Sequence, residues 1–250
     1  MNVIILAAGK GTRLRPETVN IPKGMVKLFD KSLLEMQIDI FKKCNINDIS
    51  IVTGYLAEQI TFPSIKYFKN KNYSSTAGIE SLVCAKEKLQ DGTIITYSDL
   101  VFEKSIISKV IDFKGDIGIT VDLDWEKNYV NRDQHPKSEA DNVLLDKEDN
   151  ILELRKNIST CKEFEKIGEF TGIVKLSKKA SKIFLDKYYE LKASHKGKFH
   201  NSTSFKQSIM PDMLQELINS EIKVEPILIT GKWCEIDTPQ DLERARRIFT

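Results

Sequence analysis

Residues 3–6 (Val-Ile-Ile-Leu) form an unbroken apolar run that stops at Ala7-Ala8-Gly9-Lys10-Gly11, which predicts a strand buried on both faces and ending in a ligand-facing turn. Over residues 33–44, Leu34, Ile38 and Phe41 recur at helical spacing, with Leu33, Met36, Ile40 and Cys44 beside them. Residues 49–52 then read as a second buried strand closed by Gly54, completing one βαβ unit. The alternation continues with a strand at 65–68, a helix at 79–89, a buried strand at 93–97 followed by Ser98-Asp99, a helix near 105–113 and a strand at 117–123. Residues 142–145 and 151–154, separated by a turn-rich stretch, predict a hairpin, and residues 124–141 between are polar and irregular. After a strand at 170–176, Ser177 caps a helix running to about Lys192, and residues 193–204, which carry His195 and His200, read as a mobile loop or lid. Residues 224–229 are taken as the last strand, and Thr238-Pro239 opens a terminal helix as N-cap and first helical position. The expected fold is α/β, a three-layer α/β/α Rossmann-like mostly parallel (mixed) sheet with a small antiparallel insertion.

With 250 residues, 41% of them hydrophobic, and no linker or repeat, the chain is expected to form a single domain over 1–250 with an insertion around 122–172. Lys and Arg total 38 against 36 acids, and a net charge of +2 gives no field that argues for nucleic acid or a membrane surface. Any phosphate affinity must therefore be local. No stretch approaches the roughly 18 apolar residues of a spanning helix. Four cysteines lie far apart, without zinc or disulfide spacing, so reduced thiols in the cytoplasm are expected.

The local cation is found after the first strand. Residues 6–23 read LAAGKGTRLRPETVNIPK, which combines small residues, exposed amides, Arg13 and Lys23. A triphosphate, with a charge of about −4, is best met by amides in a concave turn together with fixed cations, and glycine lets the backbone approach it. Arg13 can fork across two phosphate oxygens, and Lys23, after Pro22, can reach the α-phosphate from the opposite side. The stretch is neither G-x-G-x-x-G nor G-x-x-x-x-G-K-[ST].

It resembles the signature of the sugar-1-phosphate nucleotidyltransferase superfamily, L-A-A-G-x-G-T/S-R-L-x-P followed by P-K. The likeness extends through Gly54-Tyr55, Ser98-Asp99, Gly168-Glu169-Phe170-Thr171-Gly172 and Trp233-Cys234-Glu235-Ile236-Asp237. The compact length and the closing W-x-E-I-D-T look most like bacterial phosphocholine and 2-aminoethylphosphonate cytidylyltransferases. The resemblance implies a nucleotide site built from Leu6, Ala7, Ala8, Gly9, Gly11, Thr12, Arg13, Gly78, Ser81 and Ser98, with Lys23 and Arg13 catalytic. It also implies Asp99 and Asp237 as ligands of Mg²⁺. The chemistry agrees: joining a phosphate to an α-phosphorus brings two anions together, which calls for a divalent cation on hard oxygen ligands. Asp99 ends a buried strand, where open parallel sheets bind ligands. Members of this type often carry Asn where Gly78 stands here, a departure within the segment expected to face the base.

The expected partners are CTP and a small phosphorylated or phosphonate acceptor such as phosphocholine, 2-aminoethylphosphonate or phosphoglutamine, with no nucleic acid and no membrane; a homodimer is compatible with the sequence. In the insertion, Arg132, His135 and Lys137 are candidates for holding the acceptor's anion, and Trp125, Tyr129, Glu139 and Glu169 for its cation. The alternative is a sugar-1-phosphate nucleotidylyltransferase making an NDP-sugar for surface polysaccharide, and a nucleotide-sensing subunit without catalysis is a third reading.

Overall fold

The apolar runs become strands where the pattern places them. The computed structural model describes residues 1–89 and 92–250. In chain order these hold β1 (Asn2–Ala7), the ribbon β2 (Lys27–Leu28) and β3 (Lys31–Ser32), α1 (Leu33–Lys43), β4 (Ile49–Thr53), β5 (Lys66–Lys69), α2 (Gly78–Cys84), β6 (Thr93–Tyr97), β7 (Leu100–Phe102) and α3 (Lys104–Asp112). The second half holds β8 (Ile117–Asp122), the hairpin β9 (Asp141–Leu145) and β10 (Ile151–Lys156), β11 (Lys166–Leu176), α4 (Lys178–Ser194), α5 (Met210–Asn219), β12 (Glu225–Ile229), β13 (Trp233–Glu235) and α6 (Pro239–Ile248).

Among the described residues, one nine-stranded sheet runs in the order β10-β9-β11-β6-β1-β4-β5, with β8 beside β11 and β12 beside β8. β1 is parallel to both β4 and β6, and β5 is parallel to β4. β11 is antiparallel to β6, β8 and β9, which makes the sheet mixed. Alternate residues of β1 face two helical layers, because successive strand side chains point to opposite faces. Ile4 and Leu6 pack toward α2, α4 and α5, while Val3, Ile5 and Ala7 pack toward α1 and α3. The caps predicted at Ser177 and Thr238 are present, each side chain accepting a backbone N–H of its helix.

Three details differ from expectation. Residues 224–229 are not the last strand: β13 follows and pairs antiparallel with β7. The helix α5 falls in a stretch with no assigned element, Met210, Met213, Leu214 and Leu217 being buried in the core. Residues 193–204 are held by buried Phe199, whose ring packs against His195, His200 and Phe205.

Strand β11 shapes the site. Its first residues pair with β9 and its last with β6 and β8, and the register breaks between Phe170 and Val174. Gly172 sits in that break at φ +86°, with a Cβ there reaching 2.9 Å from Leu100 Cδ1, so a side chain would be strained as well as crowded.

Candidate active site

A cavity of about 440 Å³ opens at the carboxyl ends of β1 and β6, within the range of small-ligand sites. Leu6 near the end of β1 and Ala8, Gly9, Gly11, Thr12 and Arg13 of the loop after it line the cavity. Ala7 does not, since its side chain points into the opposite core layer. The turn is fixed locally. Gly11 has φ +59°, the Thr18 hydroxyl donates to its carbonyl at 2.7 Å, and a Cβ on it would lie 2.9 Å from Lys23 Cβ. Only glycine lets the loop close this tightly on the lysine stem.

Gly78 and Ser81 of α2, Ser98 and Asp99 line the same cavity. A Cβ at Gly78 would meet nothing nearer than 3.7 Å, so the missing side chain leaves room rather than relieving a clash. Asp99 and Asp237 converge because of the β7–β13 ribbon. Asp99 immediately precedes β7, Asp237 follows β13, and the Ile236 amide donates to the Asp99 carbonyl at 2.9 Å, extending the ladder to the two acids.

Lys23 stands between them. Its Nζ lies 2.5 Å from Asp99 Oδ2 and donates also to Asp237 Oδ1. Arg13 Nη2 lies 2.7 Å from Asp237 Oδ2, and His135 Nδ1 is 3.2 Å from the same oxygen. Burial works against the Lys23 charge, but Asp99 and Asp237 override it and hold the ammonium above the usual lysine range. Burial likewise opposes the Asp237 charge, and Lys23, His135 and Arg13 together keep it well below the usual carboxylate range. Glu235, two residues before Asp237, is pushed well above its ordinary value by burial and then by Asp237 and Asp99.

On the far wall, His135, Glu139 and Glu169 line the cavity, and Trp125 and Arg132 do not. Trp125 is buried against Tyr129 and Ala140, its indole N–H donating to the Ile167 carbonyl at 3.0 Å, so it anchors the insertion instead of facing an acceptor. Arg132 is committed elsewhere: its Nε donates to Asp241 at 2.6 Å, both side chains being fully buried. Asp241 in turn accepts the backbone N–H groups of Asp237 and Thr238, so Arg132 braces the helix start that presents Asp237. Lys137 bridges to exposed Glu126 above the Trp125 ring, and Tyr129 donates its phenol to Glu169. Pattern reading missed Asp141, Lys156 and Glu235, all in the cavity wall. Glu235 had a local signal, because a residue two before Asp237 in extended chain shares its face.

Comparison with known proteins gives the family. Residues 3–123 match a family described as the MobA-like NTP transferase domain. A CTP:phosphoglutamine cytidylyltransferase of Campylobacter jejuni is 33% identical over 258 residues, covering 97% of this chain and 98% of that protein. A choline-phosphate cytidylyltransferase of Streptococcus pneumoniae is 42% identical over 107 residues, 41% of this chain and 47% of that protein. The solved structure of a CTP:phosphocholine cytidylyltransferase from Streptococcus pneumoniae superposes with a TM-score of 0.74 at 23% identity, covering 100% of this chain and 99% of that one, which is a likeness of fold. The chain belongs to this family of NTP transferases and is a nucleotidyltransferase enzyme.

Proposed function

We propose that the enzyme transfers CMP from CTP to the phosphate or phosphonate of a small metabolite and releases pyrophosphate. The observation that carries this reading is the meeting of Lys23, Arg13, Asp99 and Asp237 beneath the glycine turn, next to a cavity of about 440 Å³. The amides of residues 8–12 and the Arg13 guanidinium would receive the triphosphate. Lys23 would turn from the two carboxylates toward the α-phosphate and stabilise its developing charge. The acceptor's own phosphate oxygen attacks the α-phosphorus in line, a new P–O–P bond forms, and the bond to the β-phosphate breaks with pyrophosphate as leaving group. No side chain needs to act as a covalent nucleophile. Lys156, whose present partner is half-exposed Glu139, is the cation available to the acceptor's anion.

The donor set fits Mg²⁺. Asp99 Oδ1 is buried without a hydrogen-bond partner, and donor atoms of His135, Glu235 and Asp237 lie within 4.8 Å of one another. Asp99 and Asp237 would hold the ion, which when bound screens the repulsion between the two phosphates. The relatives' names support CTP as donor and nitrogen-bearing phosphates as acceptors. Four free cysteines support a cytoplasmic setting.

The test is a pyrophosphate-release screen of CTP, UTP, dTTP and ATP against phosphocholine, 2-aminoethylphosphonate, phosphoglutamine and glucose-1-phosphate. The reading predicts turnover with CTP and a nitrogen-bearing acceptor. Turnover confined to UTP or dTTP with glucose-1-phosphate would replace it with the NDP-sugar reading.

A further inference from the structure

Ser98 and Asp99 form the two-residue turn between β6 and β7, and these strands belong to different sheets, β6 to the nine-stranded sheet and β7 to the ribbon with β13. Asp99 therefore stands on a joint. Gln37 of α1, fully buried, clamps that joint: its Nε2 lies 2.8 Å from the Tyr97 carbonyl and 2.8 Å from the Leu100 carbonyl, one on either side of the turn. Two convergent acceptors call for one group with two hydrogens, which the amide of Gln supplies and a carboxylate does not. The turn is tied on its other sides by the Ser98 amide, which donates to the Leu6 carbonyl at 3.0 Å, and by the Asp99 carbonyl, which accepts from Ile236.

The same helix also sets Lys23. Gly24, its neighbour, packs between α1 and the turn, where a Cβ would lie 2.8 Å from Leu34 Cγ and 3.0 Å from Ser98 Cβ. Helix α1 is thus the common reference for the lysine and the acid that meet at 2.5 Å. The clamp carries a cost, because Gln37 Oε1 is buried with no hydrogen-bond partner and offsets part of what the two bonds contribute. A residue kept for packing alone would carry no such atom. We propose that Gln37 is a positioning residue of the transferase: without lining the cavity itself, it holds both sides of the Ser98-Asp99 turn and so fixes the Asp99 carboxylate where Lys23 and a divalent cation meet it. The inference rests on the transferase reading above and adds a residue that acts through Asp99.

Gln37→Met keeps the length of the side chain and removes both donors. Mn²⁺ binding without nucleotide, read by electron paramagnetic resonance, should weaken by about tenfold, and kcat should fall by about tenfold, with the KM for CTP at saturating metal changed less than about threefold. Ile38→Ala, buried on the same helix, is the control for packing: it should lower Tm at least as far while Mn²⁺ affinity and kcat stay at wild-type values. Should Gln37→Met fail to fold, Gln37→Asn, whose amide ends one bond short of the two carbonyls, replaces it with the same expected direction. Unchanged Mn²⁺ affinity in the Gln37 variant, or an equal loss in Ile38→Ala, overturns the proposal. If the wild type neither binds Mn²⁺ nor turns over, the transferase reading fails and a crystal structure of the variant decides: displacement of Asp99 from Lys23 supports the clamp, and Asp99 unmoved overturns it.

Discussion

The two ends of the cavity solve the same electrostatic problem in opposite ways. At the phosphate end, Asp99 and Asp237 each have a cation touching them, with Lys23 shared between the two. At the end proposed to take the acceptor, Glu169 is buried and Asp141 half-buried, one buried oxygen of each is unpartnered, and Glu169 leans only on a phenol. A ligand entering the first end must displace an internal ion pair, so on the proposed reading metal and nucleotide would compete with or recruit the protein's own ammonium. One entering the second supplies what the fold leaves unsatisfied. Burying acids in this manner costs stability.

The largest break in the comparison comes from Lys23. Lys23→Met should lower kcat by about a hundredfold or more, since it removes the cation proposed to stabilise the developing charge. The same change frees Asp99 and Asp237, so Mn²⁺ binding without nucleotide, read by electron paramagnetic resonance, should tighten. Weaker Mn²⁺ binding in the variant would show that the ammonium does not compete for the metal's ligands.

At the acceptor end the readout is pH. Burial pushes Glu169 up to about 8, with Tyr129 and Arg132 pulling down and Asp141 and Asp122 pushing further up. Between its ordinary value of 4.5 and about 8 the folded chain keeps a proton that the unfolded chain releases, so this group's contribution to stability falls as pH rises through that window. Glu169→Gln removes the loss. Its Tm should match wild type near pH 4.5 and exceed it by about 4 °C or more above pH 8. With Glu169 as the candidate for the acceptor's cation, the wild-type KM for an amine acceptor should fall as pH rises toward 8, because the ammonium needs the ionised carboxylate, and Glu169→Gln should flatten that slope. A Tm difference independent of pH would mean that Glu169 is already ionised.

A smaller effect concerns the scaffold common to both ends. Gly172→Ala, placed at φ +86° against Leu100, should cost about 1–2 kcal/mol in chemical denaturation. No change would show that the break in β11 tolerates a side chain.

The phosphate end was far more legible in the sequence than the acceptor end. Residues 6–23 are contiguous, so Gly11, Arg13 and Lys23 announce themselves by local spacing, and periodicity alone places β1 and β6 beneath them. The pairing of Asp99 with Asp237 depends on a ribbon of two three-residue strands, too short for a period to register. At the acceptor end, polarity misled. Residues 124–141 read as polar and irregular, yet Trp125, Arg132 and His135 are buried in it, held by Ile167, Asp241 and Asp237. Those partners come from remote parts of the chain, and a charged residue satisfied by a distant charge looks the same in sequence as one satisfied by water.

The central claim is that Asp99 and Asp237, with Lys23 and the glycine turn, make one centre for cytidylyl transfer. It is tested most directly by following CTP labelled at the α-phosphate, with 2-aminoethylphosphonate as acceptor, in wild type and Asp99→Asn. The account predicts label in the nucleotide-linked acceptor and none in pyrophosphate, with turnover of the variant reduced about a thousandfold while its CTP affinity changes less than about threefold. Full turnover by Asp99→Asn, or label appearing in pyrophosphate, would contradict it.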